Sequence, residues 1–143
     1  MNSKTIKKIG SIGWNCSAIG DICLIKGKIN KWKIQYKAGD PNIMIGIVPS
    51  NIDLNGNSNY IFGYVTNLIH FDKYNLGTYS RYLNYKSIAG DIVEIIVDLD
   101  KGELSFSING KEPDIFCEKI DINIDYVPFV DMEFVGSEIC LLE

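Results

Sequence analysis

The side chains best able to do chemistry are few and scattered. His70 is the only histidine, and the four cysteines, Cys16, Cys23, Cys117 and Cys140, form no C-x-x-C pair. A serine or cysteine nucleophile needs a base within hydrogen-bond reach, and no nucleophile motif surrounds His70. Zinc needs ligand pairs at short spacing, which one histidine and dispersed cysteines do not supply. Two stretches place oxygen ligands at alternate positions, Asp98-x-Asp100-x-Gly102 and Asp53-x-Asn55-x-Asn57. A calcium loop requires glutamate at its twelfth position, and Asn109 and Tyr64 stand there instead. Turn capping and a solvated loop are the expected roles. No row of acids lies along one strand in the manner of a glycosidase. The chain is therefore expected to be no enzyme and to hold no metal or cofactor.

Charge is segregated. Up to Asp40 there are eight lysines against two acids; beyond it, six basic residues face sixteen acids. Lys26, Lys28, Lys31, Lys33 and Lys37 could form a basic patch for nucleic acid, but they alternate with apolar residues, so pairing with acidic strands of the same sheet is the preferred reading. No stretch approaches the roughly 20 apolar residues of a membrane span, and Met1 to Lys8 is polar and basic. No nucleic acid or membrane partner is expected. Free thiols in a reducing cytoplasm suit the cysteine pattern.

The elements that must position these residues repeat with period two, and no window carries a helical stripe. Trp32, Ile34 and Tyr36 make one inward row, and Ile43, Ile45 and Ile47 a second. Val93, Ile95, Val97 and Leu99 make a third; Leu104, Phe106 and Ile108 make a fourth, with Ser105 and Ser107 outward. Tyr126 to Phe134 and Glu138 to Leu142 read as closing strands, with shorter candidates at Ile22 to Ile25, Tyr60 to Val65 and near Tyr79. His70, between Leu68, Ile69 and Phe71, suggests a strand position. Turn pairs such as Gly90-Asp91, Lys101-Gly102 and Asn109-Gly110 punctuate the runs. Many short strands between such turns predict an all-β, two-layer antiparallel β-sandwich. Residues 1–8 are expected to form a frayed tail and 9–143 a single, monomeric domain. Asn51 to Asn59 reads as a polar loop long enough to be mobile.

From Gly90 the chain runs Gly-Asp-Ile-Val-Glu-Ile-Ile-Val-Asp-Leu-Asp-Lys-Gly-Glu-Leu-Ser-Phe-Ser-Ile-Asn-Gly-Lys. Local chemistry makes this a meander with tight turns. The same string resembles the most recognisable part of the SPRY domain: Gly-Asp, an apolar strand, Asp-x-Asp-x-Gly, Leu-Ser-Phe and Asn-Gly-Lys. Gly27 to Ile34, ending Trp32-Lys33-Ile34, resembles the family's Gly-x-x-x-Trp-Glu-Val strand, with Lys33 in place of the usual acid. Ile45-Gly46-Ile47, Phe62-Gly63-Tyr64, Tyr126-Val127-Pro128 and Ser137 to Leu142 match later strands in order. The Leu-Asp-Pro motif of the PRY extension has no counterpart, so a bare SPRY domain is the closer comparison. No RING, B-box, BTB or SOCS-box segment is seen, and a ubiquitin-adaptor role would need a module outside this chain.

The resemblance implies a concanavalin A-like jelly roll acting as a non-catalytic protein-binding module, an adaptor or scaffold whose loops at one end hold a short protein or peptide segment. It places three segments there: Ser17, Ala18 and Ile19 within Asn15 to Gly20; Pro49, Ser50, Asn51 and Asp53 within Pro49 to Leu54; and Glu133, Phe134, Val135 and Gly136. Pro49 would stiffen its loop, Phe134 and Val135 would form an apolar wall, and Asn51 and Asp53 would pair with peptide backbone or basic groups. Arg81, the only arginine, could hold a ligand carboxylate or make an ordinary surface ion pair. The alternative is a sugar-binding or glycoside-hydrolysing jelly roll with Tyr60, Tyr64 or Tyr79 stacked on sugar rings.

Overall fold

A computed structural model describes residues 4–15 and 17–142. Its strands are β1 (Lys4–Lys7), β2 (Ser17–Ile19), β3 (Ile29–Ala38), β4 (Ile43–Pro49), β5 (Tyr64–Asn67), β6 (Asp72–Asn75), β7 (Thr78–Arg81), β8 (Ile92–Asp98), β9 (Glu103–Ile108), β10 (Asp114–Cys117), β11 (Tyr126–Met132) and β12 (Glu138–Leu142). They form two antiparallel six-stranded sheets. Sheet A has the order β1-β12-β3-β8-β9-β10 and sheet B the order β2-β11-β4-β5-β6-β7. The predicted inward rows face one another: Ile34, Val93, Ile95, Val97, Leu104 and Phe106 from sheet A meet Ile43, Ile45, Ile47, Tyr64 and Tyr126 from sheet B. Alternation buries these side chains, each worth about 1.5–3 kcal/mol.

Sheet B has a second apolar face. Met44, Val48, Val65, Val127 and Phe129 point away from sheet A and are covered by Trp14, Ile19, Ile52, Tyr60 and Tyr74. Strand β4, Ile-Met-Ile-Gly-Ile-Val-Pro, is accordingly apolar on both sides.

The expected tail is part of the sheet from residue 4 onward, because Ile6 lies across from Ile139 on the inward face and packs on the core. Lys8 is also buried. Ile22 to Ile25 is not a strand; the stretch from Gly20 to Ile25 runs beside β11 with two backbone bonds, Gly20 N–H to Pro128 O and Leu24 N–H to Tyr126 O, both 2.9 Å. Residues 59–62 form a 3-10 turn, so the Tyr60 to Val65 strand starts only at Tyr64. His70 lies in an exposed turn and not in a strand, its N–H bonded to Asn67 Oδ1. Ser105 and Ser107 are buried although they alternate outward; the Ser107 hydroxyl donates to Lys111 O. Lys33 sits across from Glu94, and Lys7 across from Glu138, the cross-strand arrangement expected of the segregated charges.

Among the described residues the free cysteines are Cys23, exposed, and Cys117 and Cys140, both buried; Cys16 lies outside the described residues.

Candidate functional site

Carboxylates that could have held calcium serve backbone N–H groups. Asp98 Oδ1 accepts from Asp100 N and Lys101 N, and the Asp100 carboxylate accepts from Gly27 N. Asp53 Oδ1 accepts from Asn55 N. Short polar side chains commonly close turns in this way. Of the tyrosines suited to sugar stacking, Tyr64 is buried edge-on to Tyr126, and Tyr60 is wedged between Trp14 and Tyr74. Only Tyr79 is largely exposed, itself edge-on to Tyr74.

The three segments implicated in partner binding do not all lie at one end: Pro49 to Asn51 sits at the end opposite Glu133, while Asp53 returns to Ser17. Pro49 pairs with Tyr126 at one end of β4, while Met132, just before Glu133, pairs with Ile43 at the other. The seven residues of β4 separate them by about 20 Å at 3.3 Å per residue. Ser50 and Asn51 stay exposed at the far end, with Ser50 N–H bonded to Asp125 O. The chain then turns back over the outer face of sheet B, where Ile52 packs on the second cluster.

Asn59, missed by the sequence reading as part of a solvated loop, is 2% exposed and ties two of the segments together. Its amide donates to Ser17 Oγ at 3.2 Å and Asp53 O at 3.0 Å. Ser17 Oγ in turn donates to Asp131 Oδ2 at 3.1 Å, and Asp131 is fully buried. Ala18 lies opposite Val130 on the inward side, and Ile19 opposite Phe129 in the outer cluster. Ser17 and Ile19 are thus occupied by the protein itself. Arg81 is exposed on the edge strand β7, opposite Asp72 and remote from these segments.

A preformed surface does exist at the Glu133 end. The segments 8–15 and 133–137 are bonded through Lys8 N–H to Ser137 O, Gly136 N–H to Lys8 O and Gly13 N–H to Glu133 O, at 2.8–3.0 Å. The buried Lys8 ammonium braces the first segment, donating to Gly13 O at 2.8 Å and Asn15 Oδ1 at 2.7 Å. Asn42 Nδ2 donates to the Glu133 carboxylate, and Glu133 N–H to Asn42 O. On this braced pair Ile9, Ile12 and Val135 stand 75%, 66% and 50% exposed, beside the half-buried Phe134. No sequence period marks Ile9 and Ile12, which lie in an irregular stretch held by one lysine.

A family model for the SPRY domain matches residues 30–141. The chain belongs to the SPRY family. Among solved structures, the SPRY domain of human HERC1 superposes with a TM-score of 0.76 at 15% identity, covering 89% of this chain and 81% of that one. A human SPRY domain gives 0.74 at 18% identity over 99% and 96% of the two chains. The PSpry domain of TRIM65 gives 0.70 at 14% identity over 92% and 70%. No curated protein matches the sequence at a significant level. SPRY domains generally serve in protein–protein interaction and are generally non-catalytic, and this chain carries their sandwich.

Proposed function

We propose that this SPRY domain binds a short extended segment of a protein partner, as an adaptor or scaffold, on the surface made by residues 8–15 and 133–137. The observation that carries the reading is the exposure of Ile9, Ile12 and Val135 on backbone braced by Lys8. Exposed apolar side chains cost little to desolvate, and a braced loop loses little entropy on binding. Asn42 and Glu133 supply a polar border. The exposed Asn51 belongs to the opposite end of β4 and lies outside this surface.

Peptides selected from a random displayed library on the immobilised domain test this reading. Val135→Asp is expected to weaken the selected peptides at least about tenfold, or roughly 1.4 kcal/mol, with unchanged thermal stability. Asn51→Ala should bind as the unaltered domain does. Equal binding by the Val135→Asp variant, or specific retention on a glycan array with no peptide selected, defeats the proposal.

A further inference from the structure

The open side of the sandwich, where sheet A ends at β1 and sheet B at β2, encloses a groove of about 1110 Å³. Its floor is apolar, built from Ile34, Ile139, Leu141, Pro128, Val130 and the half-buried Trp32. One wall is the β1 edge, and the other is the segment from Ala18 to Ile25. Among the described residues β1 pairs with β12 alone and forms the edge of sheet A. Ile22, Ile25 and Ile29 stand 70%, 50% and 53% exposed along the rim.

The charge of the rim restricts what can lie there. Lys4, Lys28 and Lys31 line the groove and are exposed, against the single acid Asp21. Lys4 lies across from Leu141 and so shares the inward face. Asp98 lies across from Ile29, Asp100 is bonded to Gly27 N–H, and Glu94 lies across from Lys33. Among the described residues no carboxylate forms an ion pair with any of the three lysines. A two-fold dimer through this side would bring two copies of the same basic rim together.

We propose that the groove receives an extended, acidic segment of a protein partner in which carboxylates alternate with apolar residues. Its backbone lies along the groove between β1 and the Ala18 to Ile25 segment, its apolar side chains turn to the floor at Trp32 and Leu141, and its carboxylates turn to the rim at Lys4, Lys28 and Lys31. Alternation follows from strand geometry, which sends successive side chains to opposite sides. The groove is separate from the 8–15 and 133–137 surface, so either can fail without the other.

The test is fluorescence anisotropy with a labelled peptide of about eight residues alternating glutamate with isoleucine or valine, about the length of a strand. A counterpart carrying lysine for each glutamate is the control. The acidic peptide should bind the domain, weaken at least about tenfold in a Lys4→Glu, Lys31→Glu double variant, and weaken with added salt. It should bind Val135→Asp normally, and its amide shift changes should map to Lys4–Ile6 and the Trp32 indole. The lysines are exposed, and a thermal melt confirms that the double variant folds. The proposal is overturned by equal binding of the two peptides, by indifference to the double charge reversal, by no binding at all, or by a concentration-dependent dimer occupying this face.

Discussion

Gly46→Ala is expected to cost more than about 4 kcal/mol and to lower the melting temperature by upwards of about 10 °C in a domain of this size. Gly46 lies at the centre of sheet B, between Phe129 of β11 and Val65 of β5. Its φ of +154° is one that L side chains rarely adopt, and a methyl group there would overlap the Tyr64 carbonyl oxygen and approach Val65 Cα to 2.8 Å. Both obstacles are backbone of a paired strand, so relief requires opening the β4–β5 ladder. Phe129, 1% exposed, lies across from Gly46 and belongs to the same buried cluster as Met44 and Val65. Gly90→Ala is the control. Its φ is +103°, but nothing lies within 4 Å of the added carbon, and the cost should be only about 1–2 kcal/mol. Equal urea midpoints for the two variants would show that close approach is not what demands glycine in β4.

What the sequence made legible follows the strength of alternation. The rows at Val93 and Leu104 were readable because each sets three or four apolar residues largely against polar neighbours, and the Ile43 row because isoleucine recurs at every second position between turns. Strands β1, β2, β6 and β10 have three or four residues each, and β1 carries one apolar side chain, too few to define a period. The second cluster left a signal that alternation alone does not use: apolar residues at Met44 and Val48 on the face that a half-exposed strand would make polar. Reading it would have placed a cover over sheet B and turned the Asn51 to Asn59 segment from a solvated loop into that cover. Asn59 could not be distinguished from Asn55 or Asn57, since its burial depends on a serine 42 residues away in the chain. The separation of Pro49 from Glu133 was likewise hidden, because it depends on the antiparallel register of β4 and β11.

The Gly90 to Gly110 segment was the clearest family signal, and the structure gives its polar residues a mechanical role that yields the second large effect. Asp91, 5% exposed, accepts from Tyr85 Oη at 2.8 Å and Ile88 N at 2.9 Å through one oxygen, and from Asn109 Nδ2 at 2.9 Å through the other. Asn109 Oδ1 then accepts from Ile92 N at 2.9 Å, clamping the open ends of β8 and β9. Asp91→Ala is expected to cost about 2–4 kcal/mol at neutral pH, since three donors lose a charged acceptor and water can reach some of them. Burial by itself would raise the carboxyl pKa, but the bonds from Asn109, Ile88 and Tyr85 and the charge of Lys111 outweigh it and hold it below 3.8. A folded value below the unfolded one means that the unfolded chain takes up the proton first. The contribution is therefore complete above the ordinary carboxylate value of about 3.9 and disappears as pH falls through the depressed folded value. The gap in urea midpoints between the unaltered domain and Asp91→Asn should accordingly close below about pH 4. A gap that ignores pH would mean that shape and not charge holds the clamp. Asn109→Ala combined with Asp91→Ala should cost less than the two single changes added together, because both remove the same bond.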